Sequence, residues 1–103
     1  MITTLTEDNF KEFLINSSTP ILIYFSAEWC AFCKKMSHTI KQVDDVLGNK
    51  LVLIHIDTDN CPNITKEYKI RSLPTFILYR KIDSYERKSG VIALGDMLEW
   101  IEG

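Results

Sequence analysis

The chain has 103 residues, 46% of them hydrophobic and 25% charged, which suits one core and leaves no room for a second. We therefore predict a single domain over residues 1–103. A formal net charge of −2 argues against nucleic acid or a membrane surface as the main partner. The first residues lack the basic and apolar regions of a secretory signal, and no apolar run approaches the ~18 residues that span a bilayer. We expect a soluble protein of the cytoplasm.

The chain opens with a short strand and a helix. Residues 2–4 favour the strand. Thr6 is predicted to cap the helix, because Glu7 and Asp8 follow it and acidic side chains in a first turn interact favourably with the helix dipole.

A buried strand and a long amphipathic helix come next. Residues 21–25, after Pro20, are apolar, β-branched or aromatic throughout, as in strands buried on both faces. From Trp29 the period changes, and Gly48 is placed to end the helix in a left-handed conformation. The predicted buried stripe of this helix consists of Phe32, Met36, Ile40, Val43 and Leu47.

The second half continues the alternation. Residues 51–56 predict a second buried strand, and residues 60–69 a loop and short helix with Pro62 in the first turn. Residues 75–79 predict a third good strand, and residues 84–88 its hairpin partner. An amphipathic helix closes the chain, with apolar residues Met97, Leu98, Trp100 and Ile101. This β-α-β-α-β-α-β-β-α order predicts an α/β fold: a central, largely parallel sheet with helices on both faces and a closing antiparallel hairpin.

Two of the three cysteines, Cys30 and Cys33, form a Cys-x-x-Cys pair at the junction of strand and helix. A structural zinc site usually has four Cys or His ligands in two close pairs, and no second pair exists here, so zinc is disfavoured. Unpaired N–H groups at a helix start stabilise a thiolate, which lowers the pKa of Cys30. Because Cys33 lies one turn further on the same face, the two sulfurs can bond without unfolding the helix. This spacing favours exchange chemistry.

The residues around the pair resemble the active-site segment of the thioredoxin family, in the run FSAEWCAFCK at 25–34. The run IRSLPTF at 70–76 is similar to the family's second signature, a loop with a cis-proline. Residues 88–90 resemble a third, with a glycine near the active surface, and residues 57–61 resemble the stretch after the third strand in eukaryotic-type members. The resemblance covers essentially the whole chain. It implies a thioredoxin fold with a mixed five-stranded sheet flanked by four helices.

The resemblance also implies a function, the reduction of protein disulfides by dithiol–disulfide exchange. Cys30, expected to be exposed, attacks the substrate disulfide, and Cys33, expected to be buried, resolves the mixed disulfide. A cis Leu73–Pro74 bond should lie across from Cys30. A reductase would supply the electrons, and we expect neither a metal nor another cofactor. The substrate-binding residues implied are Trp29, Leu73, Pro74, Gly90 and Val91.

Two other functions stay open. One is a more oxidising exchanger, closer to a disulfide isomerase. The other is a thioredoxin-fold binding module that docks a partner on an apolar rim, formed by Trp29, Phe32, Leu73, Pro74 and Val91.

Three positions depart from the family pattern. Ala31 and Phe32 replace a usual Gly-Pro, and the Phe32 ring either heads the buried stripe or faces the substrate. Tyr24 stands where the family commonly has a buried acid; a tyrosine with a pKa near ~10 is a poor base, so we favour an aromatic core residue that finds a hydrogen-bond partner. His38 replaces a helix-kinking proline and is expected to be solvated. Together, the changes at 24, 31 and 32 predict a less reducing potential and slower turnover.

The remaining candidates have simpler interpretations. Cys61 is expected to be a small buried residue and His55 a packed strand residue. Lys34 and Lys35 are expected to form a solvated face.

Overall fold

The computed structural model describes residues 2–15, 18–81 and 83–103. Within those ranges the strands are β1 (Ile2–Thr4), β2 (Ile21–Ser26), β3 (Val52–Asp57), β4 (Thr75–Lys81) and β5 (Ser84–Ser89), and the helices are α1 (Phe10–Ile15), α2 (Ala31–Leu47), α3 (Pro62–Glu67) and α4 (Leu94–Glu102). Their order along the chain is the predicted one. In the same ranges, no helix has both the length and the hydropathy that crossing a bilayer requires.

The five strands form one sheet in the order β1-β3-β2-β4-β5. β3 pairs in parallel with β1 and with β2, whereas β4 pairs antiparallel with both β2 and β5. The prediction of a mixed five-stranded sheet with four helices is confirmed, but the expectation that the sheet is largely parallel is wrong. A strand buried on both faces shows the same apolar run in either direction, so its sequence does not reveal how it pairs.

β2 separates two apolar cores. All six of its residues are buried, and successive side chains point to opposite faces of the sheet. Leu22 and Tyr24 belong to the core that includes the buried residues of α2 and α4. Ile23 and Phe25 belong to the other core, which includes residues of α1 and α3. The sheet is therefore covered on both faces, as predicted.

The buried stripe of α2 differs from the predicted one at its first member. Cys33 begins it, followed by Met36, Ile40, Val43 and Leu47, whereas the side chain of Phe32 is 58% exposed. The observed spacings of three, four, three and four residues fit the 3.6-residue helical period. Gly48 ends the helix with φ of 52° and ψ of −125°, and its N–H donates to the carbonyl of Asp44. The helix therefore ends at the predicted glycine with a positive φ, but ψ lies outside the left-handed helical region that was expected.

The predicted cap at Thr6 is wrong, because α1 begins at Phe10. The N–H of Thr6 instead donates to Oδ1 of Asn9, 2.9 Å away. Glu7 does accept bonds from a helix start, but the helix is α3: the N–H groups of Asn63 and Ile64 donate to its Oε1. Glu7 therefore makes a favourable charge interaction with a helix start, but with a helix that is distant in sequence.

The two valines of α2 give a matched test of core packing. Val43 is fully buried and Val46 is 58% exposed. We expect Val43→Ala to lower the free energy of unfolding by about 2 kcal/mol, from two lost methyl groups and the space they leave. Val46→Ala should change it by less than about 0.5 kcal/mol. Urea unfolding measures both, and equal losses would contradict the packing described here.

Candidate active site

Cys30 and Cys33 lie where β2 passes into α2. Cys30 is the N-cap residue, in an extended conformation with φ of −89° and ψ of 108°. Its N–H donates to the carbonyl of Ala27 at 3.1 Å, which forms the turn that leaves the strand. The two cysteines form a disulfide with their Cα atoms 5.3 Å apart. The junction therefore has the geometry that the Cys-x-x-Cys spacing predicts.

A backbone donor of the helix points at the first sulfur. The N–H of Cys33 donates to Sγ of Cys30 at 3.2 Å. This N–H belongs to the first helical turn, where amides have no intrahelical acceptor. After reduction the same donor can stabilise a Cys30 thiolate, which is the form that attacks disulfides.

Exposure does not separate the two cysteines. Cys30 is 5% exposed and Cys33 is 3% exposed, so the expectation of an exposed Cys30 is wrong for this disulfide form. The bond to Cys33 holds the Cys30 sulfur against the first turn of α2. The assignment of nucleophile and resolving residue then depends on their order relative to the helix start, and it stays a prediction.

Tyr24 is hydrogen-bonded to the backbone of the second cysteine, Cys33. Its hydroxyl donates to the carbonyl of Cys33 at 2.6 Å, and its ring stacks on Phe76 with centroids 5.4 Å apart. Burial raises the pKa of Tyr24, and a hydrogen bond from the Ser26 side chain opposes that rise. Tyr24 is thus a neutral core residue with a hydrogen-bond partner, as predicted. It holds the backbone of Cys33 and has no capacity to act as a base at neutral pH.

His55 takes part in a polar cluster that the sequence did not reveal. It lies in register with Tyr24 on the neighbouring strand. Its Nε2 is 2.5 Å from Oγ of Ser26, and its Nδ1 is 3.2 Å from Oγ1 of Thr4. Burial lowers the pKa of His55, and the charge of Asp57 partly offsets this. The prediction of a packed residue is confirmed only in part, because the ring is half-buried and bonded at both nitrogens.

Exposed apolar side chains surround the cysteines. Trp29 is 71% exposed, Phe32 is 58% exposed and Val91 is 55% exposed. The indole N–H of Trp29 donates to Oδ2 of Asp59 at 3.1 Å, which restrains the ring. Because the Phe32 side chain is exposed, it is not the first member of the buried stripe of α2, and the other interpretation, a ring that faces the substrate, remains.

The cis Leu73–Pro74 bond is confirmed. Leu73 packs against the core that contains both cysteines. Pro74 is buried, so its ring does not belong to an exposed rim, contrary to expectation, because it directly precedes the five buried residues with which β4 begins. Its carbonyl accepts from the N–H of Gly90 at 2.9 Å, and Gly90 has φ of 91°, which favours glycine. These backbone segments adjoin each other, while the predicted position of Pro74 across from Cys30 stays a prediction.

The other candidates lie outside this constellation. Cys61 is a free thiol, 1% exposed, and burial raises its pKa, reinforced by Glu7 and Asp57. It is therefore the small buried residue that was expected. The three polar candidates of α2 are exposed, namely Lys34, Lys35 and His38. Among the described residues, no three His, Cys, Asp or Glu side chains are grouped to hold a metal ion.

The fold and the cysteine pair together define a disulfide-exchange protein. Comparison with known proteins shows which family it belongs to. A sequence model of the Thioredoxin family matches residues 1–103. A thioredoxin of Rickettsia felis is 34% identical over 101 residues, covering 98% of this chain and 96% of its own length. Thioredoxin Y1, chloroplastic, of Arabidopsis thaliana is 35% identical over 97 residues, or 94% of this chain, which spans 56% of that longer protein.

A solved structure agrees with the fold. A crystal structure of chloroplastic thioredoxin z superposes with a TM-score of 0.91 at 18% identity, covering 98% of this chain and 91% of the other. The chain belongs to the thioredoxin family. With the Cys30–Cys33 pair in place, it is a thiol–disulfide oxidoreductase.

The hydroxyl of Tyr24 can be tested by itself. Tyr24→Phe keeps the stacked ring and removes the bond to the Cys33 carbonyl, so the free energy of unfolding of the disulfide form should fall by about 1 kcal/mol. Tyr85→Phe is the control, since Tyr85 is 44% exposed, and should cost less than about 0.5 kcal/mol. Both are measured by urea unfolding under non-reducing conditions. A Tyr24→Phe protein as stable as the parent would show that the bond contributes nothing.

Proposed function

We propose that the protein reduces disulfide bonds in other proteins, with Cys30 as the attacking thiolate and Cys33 as the resolving residue. The observation that carries this assignment is the Cys33 N–H directed at Sγ of Cys30. Of the two cysteines, Cys30 accepts a backbone N–H from its partner and Cys33 does not. A thiolate stabilised in this way is the better nucleophile near neutral pH.

The exchange proceeds in two balanced steps. The Cys30 thiolate attacks one sulfur of the substrate disulfide, forming a mixed disulfide and releasing the first substrate sulfur as a thiolate. Cys33 then loses its proton and attacks Sγ of Cys30. The Cys30–Cys33 bond forms, and the second substrate sulfur leaves with its electron pair. Two electrons pass to the substrate, and a reductase returns the protein to the dithiol.

The substrate surface we propose combines exposed side chains with backbone. Trp29, Phe32 and Val91 give an apolar surface around the cysteines, suited to apolar residues beside the substrate disulfide. The backbone of Leu73 would pair with a substrate strand, and Pro74 and Gly90, whose carbonyl and N–H are bonded to each other, hold that segment in place. Because Phe32 replaces a usual proline, its ring is the feature by which this chain's choice of substrates would differ.

The cytoplasm is the location we propose, because a pair that must be re-reduced after each turnover needs a reducing compartment with its own electron donor. Two relatives, both from Arabidopsis thaliana, carry the word chloroplastic in their names. Detection of the native protein in separated cell fractions tests this, and its recovery in an organelle fraction would contradict it.

Selective alkylation tests the two roles. With limiting iodoacetamide at neutral pH, the reduced protein should be labelled first at Cys30, because its thiolate is the better stabilised of the two. Cys61 serves as an internal control and should stay unlabelled, since it is buried and its pKa is raised. Peptide mapping reads all three sites, and preferential labelling of Cys33 would reverse the assignment.

Trapping separates chemistry from simple binding. A Cys33→Ser variant should accumulate a mixed disulfide with a disulfide-containing protein, and a Cys30→Ser variant should not. If both variants bind the same partner equally and neither forms a covalent adduct, the protein is a binding module.

The dipeptide between the cysteines should set the potential. Phe32 keeps a backbone N–H that a proline lacks, and this extra donor at the helix start favours the Cys30 thiolate and hence the reduced form. The double variant Ala31→Gly, Phe32→Pro should be more reducing by about 30 mV, which corresponds to about 1.4 kcal/mol for this two-electron couple. Equilibration with glutathione measures it.

Phe32→Ala is the matched control for that potential, because it removes the ring and retains the N–H. Its potential should stay within a few millivolts of the parent. A shift as large as that of the double variant would assign the effect to the ring.

A further inference from the structure

A cavity of about 430 Å³ lies beside Cys33, the second cysteine of the pair. Tyr24, Cys33 and His55 all line it, together with Thr4 and Ser26. It therefore connects the resolving cysteine to the polar cluster between β1, β2 and β3. A space of this size has room for a chain of water molecules, each occupying about 30 Å³ in the liquid, and its hydroxyl and imidazole groups can hold them.

The resolving step requires a proton acceptor near Cys33. Its thiol is buried, and a buried thiol ionises reluctantly unless a base takes its proton. Tyr24 does not serve, because its hydroxyl donates to the Cys33 carbonyl and burial raises its pKa. His55 is the cavity residue whose ordinary pKa lies close to neutrality.

From this geometry we infer that His55 takes the proton of Cys33 during resolution of the mixed disulfide, through the solvent of the shared cavity. The inference rests on the proposed function, since it assigns a role within the second step of that exchange. His55 does not contact the Cys33 sulfur and accepts the proton through the solvent of the cavity. We therefore call it a positioning residue and not a catalytic residue.

The hydrogen bonds of His55 suit a group that gains and loses a proton. Its two nitrogens face the hydroxyls of Ser26 and Thr4. A hydroxyl both donates and accepts, so rotation of these two groups preserves both bonds when the ring changes from imidazole to imidazolium. Protonation therefore leaves no donor or acceptor of the cluster unsatisfied.

Burial and the charged groups around the cavity determine the pH range in which His55 can accept a proton. Burial lowers the pKa of His55 and Asp57 raises it to a smaller extent, so the ring is mostly neutral, and able to accept a proton, at pH 7. β1 contributes only Ile2 and Thr4 to the cavity. The other titratable side chains that line it are Tyr24, Glu28, Cys33, Lys34, Lys41 and Asp57. Because Glu28, Lys34 and Lys41 are exposed, the cavity opens to bulk solvent, to which His55 returns the proton.

The bonds and protons of this step balance. The proton of Cys33 Sγ passes to His55, the Cys33 thiolate attacks Cys30, and the Cys30–Cys33 bond forms as the bond between Cys30 and the substrate sulfur breaks. The substrate thiolate leaves with the electron pair and is protonated from solvent.

Single-turnover kinetics test the inference. The reduced protein is mixed with excess fluorescent disulfide peptide and quenched in acid, which gives separate rates for formation and resolution of the mixed disulfide. In the parent, the resolution rate should rise with pH through a midpoint below the ordinary histidine value, as His55 loses its proton. In His55→Gln this rise should be absent and resolution at pH 7 about tenfold slower, less than a full general-base loss because solvent replaces part of the function. Formation should be unchanged.

His38→Gln is the matched control, because His38 is the chain's other histidine and is exposed on α2. It should leave both rates and their pH profiles as in the parent. A His55→Gln protein that forms the mixed disulfide and resolves it with the parent pH profile overturns the inference alone. A Cys33→Ser protein that forms no mixed disulfide overturns the proposed function, and this inference with it.

A second measurement needs no variant and so does not depend on folding. In an NMR titration, the His55 midpoint should be higher in the dithiol form than in the disulfide form, by about 0.3 pH unit or more, because the negative charge of the Cys30 thiolate, which the disulfide lacks, favours the imidazolium. Identical His55 midpoints in the two forms would overturn the inference.

Discussion

Burial of β2 on both faces is the constraint on which the rest of the structure depends. A strand with six buried residues must be covered by helices on each side and paired along both edges, since its backbone groups have no access to water. The pairing with β3 and β4 then fixes the register that sets Tyr24 between His55 and Phe76. Because β2 ends at Ser26, the cysteines begin where the chain leaves the sheet and α2 starts. The reactive geometry follows from core packing.

With Tyr24 in place of a buried acid, two residues share the support of Cys33: Tyr24 holds its backbone and His55 takes its proton. A buried acid could both position and accept a proton, whereas Tyr24 can only position, since its hydroxyl proton is committed to the Cys33 carbonyl and its pKa is raised. The proton then needs another acceptor. His55 is joined to the same cluster through Ser26, and it lies across the strand pair from Tyr24. Loss of the acid thus leaves a site in which holding the backbone and taking the proton are separate functions.

The order of elements could be predicted because each depends on local periodicity or on a local breaker. The stripe of α2, its end at Gly48 and Pro62 at the start of α3 are of this kind. The direction of the strands could not be predicted from the sequence, because β4 has the same apolar run whether it pairs in parallel or antiparallel with β2.

The features that were missed depend on contacts between distant segments. Glu7 interacts with α3, 56 residues away, although its place directly after Thr6 in the sequence predicts a local cap. His55 gains its importance from Thr4 and Ser26 on two other strands, and no spacing along β3 marks it. Spacings of three and of four residues both fit one helix face, so the sequence predicts Phe32 on the stripe that Cys33 begins; one position on a helix turns a side chain by about 100°.

The potential and the rate of exchange should respond to different residues at a fixed pH. The potential depends on the relative stabilities of dithiol and disulfide, so a donor at the helix start that favours the Cys30 thiolate changes it directly. A base that accepts a proton and returns it to solvent within one turnover lowers a barrier and leaves both end states in place. The two are connected only through linkage: if His55 has a higher pKa in the dithiol, reduction also takes up part of a proton between the two pKa values. The pH dependence of the potential would then be steeper in that interval, where the same ring also limits the rate of resolution.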